Sequence, residues 1–233
     1  MIKCDAITGL ILAGGRASRM DYLDKGLQLL DEKPLVQHVA ERLAPQVSTV
    51  IISANRNQEH YQNFAQSVVS DQDPNFAGPL AGMVSAWEHC DTDYLLTVPC
   101  DSPFLPLDLA TRLAQAISAT GGTALAAIAV TRSAEENTQA QIHPVFNLMH
   151  RDAAPILRQF VANGGNRVRV FFESIQAQQV HFDHAIAFTN INTQHDLLRY
   201  SGIGMSDVTA RYDTNLAGQN GDDSYVNDAT QRT

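Results

Sequence analysis

The chain is poor in cysteine, in long apolar runs and in positive charge, and each shortage excludes a class of protein. Its three cysteines, Cys4, Cys90 and Cys100, form no C-x-x-C pair and are too few for a disulfide framework, which indicates a reducing compartment. No apolar run approaches the roughly 18 residues that a membrane helix needs. Asp5 also stands where a signal peptide would begin its apolar segment. The sequence therefore predicts a soluble cytoplasmic protein with no membrane partner.

Basic residues are outnumbered, with 16 Lys and Arg against 25 Asp and Glu and a formal net charge of −9. Sequence-independent binding to nucleic acid or anionic lipid needs a basic surface, which such a chain lacks. We therefore expect no nucleic-acid partner. Any phosphate ligand must be held by a few local cations.

One stretch near the amino terminus combines the features of a phosphate-binding loop. The apolar run 7–12 gives way at once to the paired glycines Gly14 and Gly15, and then to a segment that carries Arg19 and Lys25. Glycines lack Cβ atoms, so backbone N–H groups can approach a phosphate closely. Arg and Lys can neutralise a triphosphate.

Two common nucleotide-binding motifs do not fit this stretch. Lys25 is followed by Gly26, so no Ser or Thr is placed as in G-x-x-x-x-G-K-[ST]. Gly9, Gly14 and Gly15 also have the wrong spacing for G-x-G-x-x-G. Neither a P-loop nor a nicotinamide or flavin cofactor is therefore expected.

Strand and helix patterns alternate along the first part of the chain. Strands are predicted at 49–53, 67–70, 94–98 and 123–131, with helices at 35–43, 80–90 and 107–119. Such alternation is typical of an α/β protein in three α/β/α layers, whose mostly parallel, Rossmann-like sheet is covered on both faces. Weaker patterns predict a strand at 144–148, a helix at 153–162, an edge strand at 179–182 and a last helix capped by Thr193. The apolar segment 168–172 fits neither pattern clearly.

The domain boundary is predicted near residue 200. Residues 1–200 have the length of a single α/β domain, which commonly spans about 100 to 250 residues. Residues 201–233 are polar and aperiodic, with five acidic residues and two arginines. This composition predicts a disordered tail.

A glycine or a polar residue follows each of several predicted strands, at the end where parallel sheets bind their ligands. These positions are Gly14, Ser53, Asp71 and Asp101. Asp101 lies on a turn stiffened by Pro99 and Pro103, and Mg²⁺ commonly takes only one or two protein carboxylates alongside phosphate oxygens. We therefore predict that Asp101 binds the metal, the alternative being that it caps the turn.

Other candidate residues have ordinary structural alternatives. Lys25 fits a phosphate contact or a solvated loop lysine, and Asp71 fits equally a nucleotide contact or an Asx turn. The segment HFDH at 181–184 looks like a zinc cluster, but alternation along a strand would place its side chains on two faces. His143 and Cys100 are expected to be structural.

The glycine stretch resembles the signature of nucleotidyltransferases that runs from L-A-G-G through R-M to D-K, and in particular that of the molybdenum cofactor guanylyltransferases. Further segments resemble this family in the same order along residues 7–199: PLVQHV, SANRNQE, GPLAG, PCDSPFLP and NINT. The resemblance implies the nucleotide-diphospho-sugar transferase type of α/β fold.

The same resemblance implies the roles of individual residues. It places GTP at Leu12, Ala13, Gly14, Gly15, Lys25, Asp71 and Asp101, with Mg²⁺, or Mn²⁺ in its place, on Asp101. Ser53 replaces the first asparagine of the family's N-A-N-R motif, whose second asparagine is Asn55, and both are included in the nucleotide site. Asn190 and Asn192 match the pterin-side N-x-N pair, the alternative being helix capping.

The implied activity is transfer of GMP from Mg-GTP to the terminal phosphate of molybdenum-bound molybdopterin, with release of pyrophosphate. Lys25, Arg19 and the metal on Asp101 would supply positioning and charge neutralisation without a covalent enzyme intermediate. The leucine at position 12 resembles the guanine-using members of the family, which implies guanine as the base of the donor nucleotide. The alternatives are a cytidylyltransferase on the same pterin, a transferase on a sugar phosphate, or a non-catalytic nucleotide-binding chaperone. Proteins of molybdenum cofactor biosynthesis or molybdoenzyme maturation are the implied protein partners.

Overall fold

The computed structural model describes residues 2–13, 24–71, 78–132 and 140–202. Within these ranges the main sheet has seven strands: β1 Ile7–Leu12, β4 Thr49–Ser53, β5 Ser67–Val69, β6 Tyr94–Pro99, β7 Ala126–Thr131, β8 Gln141–His150 and β9 Gln178–Phe182. Their order across the sheet is β5-β4-β1-β6-β8-β7-β9. A short hairpin pairs β2 Leu29–Leu30 with β3 Lys33–Pro34.

The main sheet is mostly parallel, as the sequence predicts, but β8 runs against the other strands. It pairs antiparallel with β6 and with β7, whereas β1 with β4, β1 with β6, β4 with β5 and β7 with β9 are parallel. Only nine residues separate Thr131 from Gln141. A crossover between parallel strands needs a dozen or more residues. The reversal of β8 therefore follows from the short connection.

The helices of the described ranges are α1 Leu35–Leu43, α2 Gln58–Tyr61, α3 Pro79–Trp87, α4 Leu109–Ala119, α5 Ala154–Ala162, α6 Val168–Ser174 and α7 Gln194–Tyr200. Single 3-10 turns occupy Cys4–Ala6, Lys25–Leu27, Ala44–Gln46, Arg151–Ala153 and Ala185–Phe188. The segment that the sequence left unassigned is α6. Its buried residues, Val168, Phe171 and Phe172, have the spacing of one helix face.

Two apolar cores lie on the two faces of the sheet. On one face, Ile11 of β1 belongs to the same core as Val39 of α1 and Leu113 of α4. On the other face, Leu10 belongs to the core formed with Met83 of α3. All six residues of β1 are buried, as expected for a central strand covered on both sides. The three-layer α/β/α prediction is confirmed. Among the described helices, none is long and apolar enough to cross a membrane.

The last described residues are tied to the body of the domain. Tyr200 packs its ring 5.3 Å from that of Phe104, and the Asp31 carboxylate accepts hydrogen bonds from the Ser201 hydroxyl at 2.7 Å and the Gly202 amide at 2.8 Å. The compact unit ends at Gly202. Residues 203–233 lie outside the described ranges, so the disordered tail stays a prediction.

Removing residues 203–233 should leave the melting temperature nearly unchanged, because their polar, aperiodic composition offers little apolar area to bury. A chain that ends at Arg199 is the matched comparison. It loses the packing of Tyr200 and both hydrogen bonds to Asp31, and should melt about 5 °C lower or more. Thermal unfolding followed by circular dichroism measures both. A large decrease for the chain ending at Gly202 would contradict the prediction.

Candidate active site

The carboxyl ends of four neighbouring parallel strands, β5, β4, β1 and β6, meet at one edge of the sheet. Hydrogen bonds continue the ladder past the strand ends and hold the four ends in register. They are donated by the amides of Ala13, Ala54 and Cys100 to the carbonyls of Ser53, Val69 and Leu12, at 2.8, 2.8 and 3.0 Å. Leu12, Ser53, Asp71 and Asp101 therefore lie at the same edge, where α/β sheets bind ligands.

The glycine loop begins at this edge. Leu12 ends β1 with only 8% of its surface exposed, and Ala13 continues the ladder. Gly14, Gly15 and Arg19, which the sequence assigns to phosphate binding and catalysis, lie outside the described residues. Their roles stay predictions.

Asp101 lies two residues beyond Pro99, the last residue of β6, and is only 9% exposed. Its Oδ1 atom is buried and has no hydrogen-bond partner within the described part of the chain. Burial raises the pKa of this carboxyl, and the nearby charge of Lys25 lowers it. A buried carboxylate oxygen without a partner is costly unless a cation or a donor reaches it. The residue therefore fits a metal ligand better than a turn cap.

A magnesium ion fits this position because of what it requires from the protein. The described residues contain no group of three or more His, Cys, Asp or Glu side chains placed to hold a metal, and this includes the HFDH segment at 181–184. Mg²⁺ keeps several waters and binds one or two carboxylates together with substrate phosphates. Asp101 could therefore hold Mg²⁺ when a triphosphate supplies further oxygens.

Lys25 lies on the 3-10 turn Lys25–Leu27. Its Nζ atom donates to Oδ1 of Asn192 at 2.5 Å. Because the Lys25 charge also influences Asp101, the structure brings the predicted catalytic lysine, the predicted metal ligand and one predicted pterin residue to one place. Lys25, whose ammonium is held by Asn192, is therefore not a freely solvated loop lysine.

The segment that contains Asn190 and Asn192 lies across the turn after β6. Ile191 N donates to the Asp101 carbonyl at 2.8 Å, and the Ser102 hydroxyl donates to Oδ1 of Asn190 at 2.7 Å. Capping of α7 is done by Thr193, whose hydroxyl accepts from the amide of Asp196 at 3.0 Å in a capping box. The Thr193 cap is confirmed, and the two asparagine side chains face the site.

Asp71 and Asn55 form a reciprocal pair. Asn55 Nδ2 donates to Oδ2 of Asp71 at 2.9 Å, and Asp71 N donates to Oδ1 of Asn55 at 2.9 Å. The other oxygen, Oδ1 of Asp71, is buried with no partner in the described ranges. Burial raises the pKa of Asp71, and the bond from Asn55 lowers it. The pair thus holds one carboxylate oxygen and leaves the other for a donor from a ligand.

Ser53 occupies a tight contact with helix α3. A Cβ atom on Gly82 would come within 2.7 Å of both Cδ2 of Leu12 and Oγ of Ser53. Only glycine lets the first turns of α3 lie this close to the ends of β1 and β4. The contact places the start of α3 beside the site.

His143 has a structural role, as expected. Its ring stacks on Phe188 with the centroids 4.7 Å apart, and its Nε2 atom lies 2.9 Å from the Thr131 hydroxyl. Burial lowers its pKa to about 4, so the ring is neutral near neutral pH.

The structure also shows an arrangement that the sequence analysis missed. The Asp24 carboxylate accepts hydrogen bonds from Asn57 Nδ2 at 3.0 Å and from the Tyr61 hydroxyl at 2.5 Å. The only sequence signal was the position of Asp24 directly before Lys25. Asn57 lies in the family-like segment SANRNQE, but nothing in the sequence paired it or Tyr61 with Asp24, because the two lie 33 and 37 residues further along the chain.

The sequence matches a family of known proteins over most of its length. The family model described as MobA-like NTP transferase domain matches residues 9–181. A molybdenum cofactor guanylyltransferase from Cupriavidus necator is 48% identical over 197 residues, which cover 84% of this chain and 97% of that protein.

Two solved structures are similar in fold. Molybdopterin-guanine dinucleotide biosynthesis protein A from Archaeoglobus fulgidus has a TM-score of 0.62 and 19% identity, over 88% of this chain and 99% of that one. CMP:2-keto-3-deoxy-manno-octonic acid synthetase complexed with CTP has a TM-score of 0.63 and 14% identity, over 89% and 99%.

Proposed function

The chain belongs to the MobA-like NTP transferase family, and from this membership we propose that it transfers GMP from GTP to the terminal phosphate of molybdenum-bound molybdopterin. The observation that carries the proposal is the 48% identity to a molybdenum cofactor guanylyltransferase over nearly the whole of that protein. The products are molybdopterin guanine dinucleotide and pyrophosphate. The reaction class is nucleotidyl transfer.

The proposed reaction is a direct displacement. An oxygen of the acceptor phosphate forms a bond to the α-phosphorus of GTP, and the bond between that phosphorus and the oxygen bridging to the β-phosphate breaks. The acceptor phosphate is already an anion, so the enzyme needs no covalent intermediate. Lys25 neutralises charge that spreads over the phosphates, and Asn192 keeps the Lys25 ammonium at the place where donor and acceptor phosphates meet.

Asp101 is the proposed residue for the metal. Its Oδ1 atom, buried and without a hydrogen-bond partner in the described part of the chain, supports binding of Mg²⁺, or of Mn²⁺ in its place, shared with the triphosphate. The metal would supply charge neutralisation and hold the phosphates in line. The Asp101 carbonyl meanwhile fixes the Asn190–Asn192 segment, so the same turn connects the donor and acceptor sides.

Guanine is the proposed base. It presents N1–H and N2–H donors beside the O6 acceptor, and Oδ1 of Asp71, which has no hydrogen-bond partner among the described residues, offers an acceptor for those donors. Each partner left unpaired by another base costs on the order of 1 to 3 kcal/mol. Loss of a single such hydrogen bond corresponds to about a tenfold lower kcat/KM.

We expect GTP to be used at least about tenfold better than CTP or ATP, judged by kcat/KM. The measurement is pyrophosphate release with each nucleoside triphosphate, magnesium and molybdenum-loaded molybdopterin, with the product identified by mass. Equal use of CTP would indicate a cytidylyltransferase. Turnover with a sugar phosphate but not with the pterin would indicate a sugar nucleotidyltransferase. Binding without any pyrophosphate release would indicate a nucleotide-binding chaperone.

The proposed setting is the cytoplasm. All three cysteines, Cys4, Cys90 and Cys100, are free thiols, which suits a reducing compartment. The proposed protein partners are those that deliver the pterin or receive its dinucleotide form during molybdoenzyme maturation.

A further inference from the structure

The two oxygens of the Asp24 carboxylate have separate donors. Tyr61 donates its hydroxyl to Oδ1, and Asn57 donates its side-chain amide to Oδ2. Both donors belong to α2 or its immediate approach, since Asn57 directly precedes the helix in a left-handed conformation with φ of 53° and Tyr61 is its last residue. The Tyr61 side chain is fully buried. Asp24 is thus held by one donor that the core fixes, Tyr61, and by a second at the exposed start of α2, Asn57.

Asp24 in turn begins the turn that presents Lys25. Its carbonyl accepts from the amide of Leu27 at 3.2 Å and from Nε2 of Gln28 at 3.2 Å. The side chain and the backbone of Asp24 therefore fix the turn from two sides. The next residue along the chain is Lys25, whose ammonium reaches Asn192.

Gly26 packs this turn directly against Tyr61. A Cβ atom at Gly26 would lie 2.5 Å from the Tyr61 hydroxyl oxygen and 3.1 Å from Sγ of Cys100. Cys100 is the residue before Asp101. The contact therefore sets the distance between the lysine turn and the strand end that carries the proposed metal ligand.

The charges of Asp24 and Lys25 also favour a role for these donors in fixing the lysine turn. A carboxylate next to Lys25 can draw the ammonium away from phosphate. Neutral donors on its two oxygens, Tyr61 and Asn57, hold the Asp24 carboxylate towards α2, while the Lys25 ammonium donates to Asn192. Burial, followed by the nearby Cys100 and Asp24, raises the pKa of Tyr61 well above its usual value, so its hydroxyl keeps its proton.

We propose that Tyr61 and Asn57 are positioning residues for nucleotidyl transfer, and that they act through the Asp24 carboxylate to hold Lys25 at Asn192 and beside Asp101. The proposal deepens the function proposed above and rests on it. Neither residue is among those proposed above to contact the substrates. Their effect on the reaction is carried by the location of one ammonium group.

The test uses Tyr61→Phe, which removes one oxygen from a buried ring. We expect kcat to decrease about tenfold, with a smaller change in KM for GTP, because a displaced lysine loses more in the transition state than in the bound state. Tyr94→Phe is the matched control. Tyr94 is the first residue of β6, at the end of the strand opposite to Asp101, and its ring packs edge-on against His150. Tyr94→Phe should therefore leave kcat unchanged.

A double-mutant cycle separates positioning from general destabilisation. If Tyr61 acts through Asp24, Tyr61→Phe should have no further effect on kcat in an Asp24→Asn chain. If Tyr61→Phe unfolds the chain, Asn57→Gly removes the other donor at an exposed position whose positive φ suits glycine, and kcat should again decrease. An unchanged kcat in the folded variants, or equal losses with and without Asp24, would overturn the proposal.

Failure of the proposed function can be distinguished from failure of the positioning proposal. All variants are compared with the triphosphate that the wild-type chain uses best, so a preference for CTP overturns the guanine assignment alone. If the wild-type chain transfers no nucleotide, the acetylation rate of Lys25 is measured by mass spectrometry instead. A higher rate in Tyr61→Phe than in Tyr94→Phe supports the positioning of Lys25, and equal rates overturn it.

Discussion

Asp101→Asn is expected to remove nearly all GMP transfer and to leave the chain folded. The amide keeps the shape of the side chain but loses the charge that holds Mg²⁺. Among the described residues its buried Oδ1 atom has no hydrogen-bond partner, so this is the oxygen that we expect to bind the metal. We expect kcat to decrease at least about a hundredfold, the size of effect seen when one preorganised electrostatic contact is removed.

The same substitution should raise the melting temperature in the absence of nucleotide and metal. Burial raises the pKa of Asp101 in the folded chain above its value in the unfolded chain, so folding favours the protonated carboxyl. The contribution of Asp101 to stability is fully present below the unfolded-state pKa. It is lost as the pH rises through the folded-state pKa. Above its folded-state pKa the wild-type Asp101 carboxyl is a buried charge that the asparagine variant lacks. The gain in melting temperature should therefore shrink as the pH is lowered.

Asp108→Asn is the matched control for both measurements. Asp108 is exposed at the start of α4, where its carboxylate lies 3.9 Å from Arg112, and its loss should change neither kcat nor the magnesium dependence. Turnover and pyrophosphate release are titrated with magnesium for all three chains. Near-normal turnover of Asp101→Asn with unchanged magnesium dependence would refute the metal assignment.

Lys25→Met should decrease kcat by about a hundredfold, because it removes the cation proposed to neutralise the phosphates while keeping an unbranched side chain. Lys25→Arg should not restore the activity, since a planar guanidinium cannot replace a point charge held at Asn192. Lys33→Met is the control. Lys33 pairs with Glu41 on the surface at 3.1 Å, and its loss should leave kcat unchanged.

The pH profile gives a second readout for Lys25. The lysine charge lowers the pKa of Asp101, against the larger effect of burial. Without that charge the Asp101 pKa rises, so the acidic limb of the kcat/KM profile should move to higher pH in Lys25→Met. The limb of Lys33→Met should coincide with that of the wild-type chain. An unmoved limb in Lys25→Met would indicate that the two groups do not interact.

Much of the fold follows from local patterns. The strands at 49–53 and 94–99 are apolar runs bounded by turns, and both lie where expected. The reversed strand β8 was less predictable, because its pairing shifts register between Ile128 and Ala129 and its residues do not alternate regularly. Helix α6 was missed because VRVFFES is rich in β-branched and aromatic residues, whose preference for strands is overridden by burial of one helix face.

In the site, single residues could be predicted from the sequence, but the contacts between them could not. Asp101, Lys25 and Asn192 could each be proposed from the residues around them or from the family resemblance. The hydrogen bond between Lys25 and Asn192 joins residues 167 positions apart, and no local pattern specifies such a pairing. The link from Tyr61 to Asp24 is equally invisible in the sequence, because a buried tyrosine is first of all a core residue.

The place of β8 in the sheet has a consequence for synthesis on the ribosome. β6 and β7 are made before β8, yet in the finished sheet β8 lies between them. When the ribosome has added residue 131 but not yet residue 150, the growing chain lacks β8. One side of β6 is then unpaired, and β7 has no β8 to pair with. At about 5 to 20 residues per second this state lasts only seconds, but an unpaired apolar strand edge is a template for pairing with another chain. A pause in translation between β7 and β8 is thus the point at which nascent copies on neighbouring ribosomes would aggregate.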